Sequence, residues 1–320
     1  MSGASAVAVD IGGTKTSAAL VDEGGRVAST STVATPAAAG SAAVVAAVVS
    51  LVRSLAAEEA ARSGRRPVGI GIGSAGVVDT VSGSVVAATD HIAQWAGTPL
   101  GPLVAEATGL PTTVVNDVHA HAVGELVGGA GRGCESVLLV AAGTGLGGAF
   151  VLDGRVVTGA RGASGHLGHV PCAEAAGLRC ACGATGHLEC VASGGGVVAM
   201  ARARGCDVAD ARSVVRLAEQ GSSTAREVLD LSADALGAAI GGWVNTLDPE
   251  VVVVTGGLSE AGPRWWERVR AAVDGELVAA TRGCPVVPAV LGREAALVGV
   301  ATLVLGRGAP SLDAMTTVLS

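Results

Sequence analysis

The chain has 320 residues, 49% of them apolar, and a formal net charge of −7, which allows two domains of ordinary size with large cores. Its acid excess, with no basic cluster larger than Arg62, Arg65 and Arg66, argues against nucleic acid as the main partner. Seven cysteines without a signal-peptide pattern point to a reducing cytoplasm, where clustered cysteines bind metal more often than they pair. One Phe and no Tyr leave the close packing to Ala, Val and near backbone contacts.

Ala6 to Val9 reads as a short apolar strand. Asp10-Ile11-Gly12-Gly13-Thr14-Lys15 follows, then a strand from Ser17 to Val21, a turn at Glu23-Gly24-Gly25 and a strand from Arg26 to Val33. A glycine-rich turn between strands points backbone N–H groups outward, a nest for phosphate oxygens, and Asp10 at the strand end suits Mg2+ held through water. Gly-Gly-Thr also makes an ordinary hairpin turn, so this segment alone does not decide. The uncharged run from Val27 to Val52 has the length of a membrane span. Its serines and threonines, Pro36 and Gly40 instead divide it into a strand, a turn and a buried amphipathic helix, and no membrane is expected as a partner.

That helix, Ala42 to Ala61, places Val44, Val45, Val48, Leu51, Val52 and Leu55 on one face. A strand from Val68 to Ile72 ends in the small-residue loop Gly73 to Asp79, which suits either close backbone approach to a ligand or a crowded strand crossing. Thr112 to Val115 is another strand, followed by Asn116-Asp117 and a helix through Leu126. The positive end of that helix favours an ionised Asp117; an N-cap explains the same residue. His119 and His121 are expected on the helix surface.

The opening pattern then recurs. Ser136 to Ala142 is a strand, Gly143-Thr144-Gly145-Leu146-Gly147-Gly148 the turn, Ala149 to Leu152 the next strand, Asp153-Gly154 a hairpin turn, and Arg155 to Thr158 the third strand. A duplicated phosphate-gripping hairpin predicts two similar α/β halves facing one nucleotide across a cleft.

Between Gly159 and Glu189 lie His169, Cys180, Cys182 and His187, a donor set that suits a closed tetrahedral zinc site. Gly183 and Gly186 would let the backbone turn sharply enough to bring His187 round to the same ion. Four protein ligands leave no open position, so the zinc is expected to be structural. His166 and Glu189 flank it, which makes the loop a substrate wall. The plainer reading is a cysteine-rich surface loop. Beyond it, Val191 to Arg204 and Ala211 to Gly242 read as helical. Val251 to Val254 is a buried strand ending in Thr255-Gly256-Gly257, a junction that lets a flat ring lie against backbone. A helix with Trp265 and Trp266 follows, and Arg293 to Gly299 opens a closing helix.

Together Asp10–Lys15, Ser74–Asp79, Asn116-Asp117, Gly143–Gly148, Gly165-His166-Leu167-Gly168-His169, the Cys-x-Cys loop and Thr255-Gly256-Gly257 resemble the ROK family of bacterial sugar kinases and repressors. The resemblance runs from Asp10 to Gly299. It implies an α/β, two-domain actin-like (ribonuclease H-like) ATPase fold with duplicated βββαβ-type halves around a nucleotide cleft. The domains expected are 1–117, completed by a C-terminal helix over 300–320, and 118–299, which carries the zinc loop. ATP and Mg2+ are implied as cofactors, and a homodimer or homotetramer as the assembly. Gly12, Gly13, Thr14 and Lys15 would serve the first phosphate loop, Gly143, Thr144 and Gly145 the second, and Gly256 and Gly257 the adenosine. Asp117 matches the family's catalytic base, and Asn116, His169 and Glu189 match its sugar-contacting positions.

Three departures bear on the substrate. His166 stands where most members have Glu, and bacterial N-acetylmannosamine kinases resemble this chain there. His187 replaces the third family cysteine. His91 stands where glucokinases commonly have a sugar-binding Asn. The resulting expectation is phosphorylation of the 6-hydroxyl of a hexose or N-acylhexosamine, first N-acetylmannosamine and then glucose. A repressor relative would carry a helix-turn-helix ahead of the first phosphate loop, where only nine residues precede Asp10. A non-catalytic sugar sensor is the remaining rival, opposed by the retained Asp10 and Asp117.

Overall fold

A computed structural model describes residues 3–89 and 91–306. β1 (Ser5–Ile11), β2 (Lys15–Asp22) and β3 (Val27–Ala34) form an antiparallel meander. Alternation in β1 sends Val7, Val9 and Ile11 to one buried cluster and Ala6 and Ala8 to another, so both faces of the strand are covered. α1 (Ser41–Ser63) follows. Val44, Val48, Leu51, Val52 and Leu55 are buried in the first cluster and Val45 packs half-buried against it. The helix stops at Gly64, which takes φ 72° and returns its N–H to the Ala60 carbonyl. α1 is the one described helix long and apolar enough to cross a membrane. Its Val and Leu row is core.

β4 (Ile70–Ser74), the β5 (Val77–Asp79) and β6 (Ser84–Ala87) hairpin, α2 (Leu100–Thr108), β7 (Thr112–Asn116) and α3 (Asp117–Gly128) come next. The sheet order is β3-β2-β1-β4-β7, with β1, β4 and β7 parallel. β8 (Val137–Ala142), β9 (Leu146–Leu152) and β10 (Arg155–Val156) repeat the meander. They are followed by α4 (Glu189–Ala192), α5 (Gly194–Ala203), α6 (Ala211–Glu219), α7 (Ser223–Leu247), β11 (Val251–Thr255), α8 (Pro263–Glu276), β12 (Val286–Pro288) and α9 (Ala295–Leu305). The second sheet runs β10-β9-β8-β11-β12, the same order as the first. This duplication is the actin-like arrangement.

Contacts divide the chain into two units. One holds the residues through Glu135, Ala149–Ser164 and the chain from Val290; the other holds Ser136–Gly148 and Gly165–Ala289. The sequence reading opened the second domain at 118. Here α3 and the chain to Glu135 lie in the first unit, because α3 packs along α9. Of the closing helix expected over 300–320, α9 extends to Leu305, and residues 307–320 lie outside the described residues.

Several boundaries move for local reasons. β2 begins at Lys15 rather than Ser17, because the turn before it is tight. The helix expected from Val191 is broken at Ser193, whose Oγ caps α5 by accepting from the Gly196 N–H at 3.0 Å. The run from Ala211 divides at Gly221, with φ 105°, into α6 and α7.

α3 and α9 touch backbone to backbone. A Cβ on Gly299 would overlap the Ala120 carbonyl oxygen, one on Gly124 the Ala295 carbonyl, and one on Gly71 of β4 the Val300 carbonyl. Gly299→Ala is therefore expected to cost about 1–3 kcal/mol or more. Gly275→Ala in α8, where nothing lies within 4 Å, should be neutral or gain a few tenths to about 1 kcal/mol from helix propensity. Urea unfolding midpoints of the two variants check the contrast.

Candidate active site

In the first unit the side chains of interest stand at the C-terminal ends of parallel strands. Asp10, the penultimate residue of β1, pairs in register with Gly73 of β4, which pairs with Val115 of β7. Asp117 follows one strand-end later and opens α3. Gly73 leaves the space between them open: a Cβ there would lie 3.5 Å from the Asp117 Cα and 3.7 Å from Asp10 Oδ1. Asn116, not Asp117, is the N-cap, with Oδ1 accepting from the N–H groups of Val118 at 2.9 Å and His119 at 3.2 Å. Its Nδ2 donates to the Gly76 carbonyl at 2.9 Å, and its amide also bonds Asp117. Asn116 thus ties the Ser74–Asp79 loop to the start of α3. The other brace on that loop is Trp95, fully buried, whose Nε1 donates to Ser74 Oγ at 3.2 Å and the Ala75 carbonyl at 3.1 Å.

Burial pushes both carboxyls upward. Asp10 is raised to about 7, first by desolvation and then by the Asp117 charge. Asp117 is raised to about 6 by desolvation, partly offset by hydrogen bonds from the Val118 N–H, its own N–H and Asn116. Two uncompensated carboxylates at strand ends favour a proton or a cation between them and solvent.

The first glycine turn closes with the Gly12 N–H donating to the Lys15 carbonyl at 3.0 Å, leaving Gly13, Thr14 and Lys15 exposed. Thr35 Oγ1 donates to the Gly12 carbonyl at 2.7 Å and meets Thr16 Oγ1 at 2.9 Å, and the Thr35 N–H reaches the Thr14 carbonyl at 3.0 Å. His91 lies beside the same turn, with its Cβ 3.6 Å from where a Cβ on Gly13 would stand.

In the second unit Gly143, Thr144 and Gly145 form the equivalent turn, with Thr144 and Gly145 exposed. The N–H groups of Gly194 and Gly195 donate to the Gly143 and Thr144 carbonyls at 2.8 and 3.0 Å. Gly256 takes φ 93° and presses on the Ala142–Gly143 peptide so closely that a Cβ would overlap it. Gly257 beside it has nothing within 4 Å of its Cβ position.

His169, Cys180, Cys182 and His187 converge, with their donor atoms all within 4.8 Å of one another. Cys180 Sγ is 3.6 Å from His169 Nδ1, and Cys182 Sγ is 3.2 Å from His187 Nδ1. Bonds of roughly 2.0–2.3 Å to a tetrahedral ion put ligand atoms about 3.3–3.8 Å apart, so the set fits zinc. Gly183 and Gly186 take φ 94° and 79°, and the Cys180 N–H bonds the Ala184 carbonyl at 2.8 Å, which makes the sharp turn. Burial pushes the Cys180 thiol up to about 11. His166 is exposed, with its ring centroid 5.9 Å from that of His169. Glu189 opens α4, with Oε2 accepting from the Leu146 N–H at 2.9 Å.

Two expectations fail. His119 is buried rather than on the surface, with Nε2 3.1 Å from the Ser164 carbonyl, and His121 is half-buried with an unpaired, enclosed Nε2. α3 is covered on more sides than a surface helix. The braces Thr16, Thr35, Ser74, Trp95 and Ser193 carry no sequence signal of their own, because each acts on a loop far away or as an ordinary cap.

A sequence model of the ROK family matches residues 6–307. The chain is 36% identical to the bifunctional enzyme NanE/NanK of Brucella melitensis over 93% of its own length, and spans 53% of that longer protein. It is 34% identical to an N-acetylmannosamine kinase of Citrobacter koseri over 80% of this chain and 85% of that one. Among solved structures, a ROK family glucokinase from Streptomyces griseus, in complex with glucose and AMPPNP, superposes with a TM-score of 0.79 at 32% identity, covering 93% of this chain and 98% of that one.

The raised carboxyls carry a stability consequence. A carboxyl whose folded pKa exceeds its unfolded value binds more protons when folded, so stability falls as pH rises from near 4 through about 6. Asp117→Asn keeps an oxygen for the Val118 N–H and removes that cost. At pH 8 the variant should melt about 5 °C above the parent, with the gap closing by pH 4; thermal scans across pH check this.

Proposed function

This chain belongs to the ROK family, and we propose on that basis that it is an ATP-dependent sugar kinase acting on the 6-hydroxyl of a hexose or N-acylhexosamine, with N-acetylmannosamine the preferred acceptor. The observation that carries the reading is Asp117, a half-buried carboxylate just after β7 and at the start of α3. With a pKa of about 6 it is mostly ionised at neutral pH yet basic enough to take a proton. In the reaction the acceptor hydroxyl oxygen forms a bond to the γ-phosphorus, the bond to the β–γ bridging oxygen breaks, and the hydroxyl proton passes to Asp117.

The exposed turns supply N–H donors to phosphate oxygens, Gly12, Gly13 and Thr14 with the Lys15 cation in one unit, and Gly143, Thr144 and Gly145 in the other. The open face at Gly257, beside the close-packed Gly256, suits the adenosine. Asp10 is the residue that would hold Mg2+, since burial and the Asp117 charge disfavour its ionised form unless a cation lies beside it. Bound Mg2+ supplies charge neutralisation on the phosphates. Sugar contacts fall to His166, His169 and Glu189, with Asn116 holding the neighbouring loop. With His169 Nδ1 turned to the cysteines, its Nε2 is left for a hydroxyl. Zinc on His169, Cys180, Cys182 and His187 would be structural. A cytoplasmic homodimer or homotetramer, without nucleic-acid or membrane partners, completes the reading.

His166 favours the acylhexosamine. A neutral imidazole offers one donor and one acceptor, whereas Glu only accepts, so His can donate to an acetamido carbonyl. The alternative is a glucokinase, supported by the likeness to the Streptomyces griseus enzyme crystallised with glucose.

A coupled assay with N-acetylmannosamine, N-acetylglucosamine, glucose, mannose and fructose tests the proposal. Asp117→Asn should lower turnover roughly a hundredfold or more, and undiminished turnover removes Asp117 from the chemistry. N-acetylmannosamine should lead in the parent and lose ground to glucose in His166→Glu. A tenfold parental preference for glucose, about 1.4 kcal/mol, replaces the acylhexosamine reading with the glucokinase one. Elemental analysis should find about one zinc per chain. Cys182→Ala should lose it and raise the sugar KM.

A further inference from the structure

Glu189 opens α4 two residues after His187, and its two carboxylate oxygens point to different parts of the second unit. Oε1 lies 3.8 Å from Cys180 Sγ, inside the cysteine–histidine cluster. Oε2 accepts from the Leu146 N–H at 2.9 Å, directly after Gly145. Gly145 packs against the same oxygen, which lies 2.8 Å from where a Cβ on Gly145 would stand. The same loop grips the turn at two further points. The Gly148 N–H donates to the Gly165 carbonyl at 2.7 Å, and Gly168 packs so closely on the Leu146 carbonyl that a Cβ would overlap it.

We propose that Glu189 is a positioning residue that couples the metal-binding loop to the Gly143–Gly148 turn, and thereby sets the affinity for nucleotide phosphates; the inference rests on the kinase reading for its ligand. The physical argument is one of order. A phosphate nest binds well only if its N–H groups are already aimed. The turn is held before Gly145 by the bonds of Gly194 and Gly195 to the Gly143 and Thr144 carbonyls, and after it by the Glu189 bond to Leu146. Glu189 is itself fixed by the chain that carries Cys180, Cys182 and His187. An ion on the four donors immobilises that chain, so metal loss should loosen the phosphate turn as well as the sugar-facing histidines.

The test uses Glu189→Ala, which leaves the Leu146 N–H unpaired, and Glu189→Gln, whose amide oxygen can still accept from it. AMPPNP affinity is measured by calorimetry on zinc-loaded protein without sugar. Hydrogen exchange is followed on the peptide covering 143–148, in both variants and in chelator-stripped parent. Glu189→Ala should weaken AMPPNP about tenfold, the scale of one lost charged hydrogen bond, and speed exchange at 143–148. Stripped parent should show the same faster exchange. Glu189→Gln should bind AMPPNP within about twofold of the parent and keep its protection, while the sugar KM rises in both variants. Parental AMPPNP affinity and exchange in Glu189→Ala overturn the proposal, as does equal loss in Glu189→Gln. If AMPPNP does not bind the parent, the kinase reading fails, and the exchange data alone accept or reject the coupling.

Discussion

Backbone-to-backbone contact between α3, α9 and β4 is the constraint on which the first unit depends. Ala120 faces Gly299, Ala295 faces Gly124 and Val300 faces Gly71, each too close for a side chain. A chain with one Phe and no Tyr has few large side chains with which to fill a wide interface. It reaches native density by bringing elements together on glycine and alanine. That contact fixes the first turn of α3, and so fixes Asp117 against Asp10 with only Gly73 between them. Glu125, buried further along α3, strengthens the arrangement by accepting from the N–H groups of Ala130, Val290 and Leu291 at 2.8, 3.0 and 2.8 Å. One carboxylate thus satisfies three backbone donors where the chain returns toward α9.

The two glycine turns show one backbone idea supported in two ways. The first turn is backed by hydroxyls, with Thr35 bonded to Thr16 and donating to the Gly12 carbonyl. The second is backed by main chain and a carboxylate, from Gly194, Gly195 and Glu189. In both, the bracing groups consume inward-facing polar atoms and leave the exposed residues of the turn outward. Duplication preserved the strand order and the turn, while the supports diverged with the surrounding loops.

The stretch from Gly159 to Glu189 has little core of its own; Ala175, Cys180 and Leu188 are its fully buried apolar side chains. A segment that cannot bury enough apolar surface needs a cross-link to hold one shape. Four converging thiol and imidazole donors, in a chain otherwise free of disulfides among the described residues, are suited to that task. An ion held there would set His166, His169 and Glu189 on a fixed base.

The sequence by itself determined the elements whose signal is local. The strand–glycine–strand hairpins, the uncharged run that becomes β3 and α1, Asp117 at a helix start and the four donors near one another all follow from neighbouring residues and from turn chemistry. Local pattern misled at His119, which reads as a helix-surface residue and is buried, because enclosure is a property of what packs over α3 and not of α3. Tertiary structure alone decided that Asn116 caps the helix while holding Gly76, that Trp95 fastens Ser74 and Ala75, and that Glu189 reaches Leu146. It also decided that burial raises Asp10 and Asp117. Each of these depends on residues distant in the chain sharing one low-dielectric space. Desolvation and long-range hydrogen bonding have no sequence period, so nothing short of the folded arrangement specifies them.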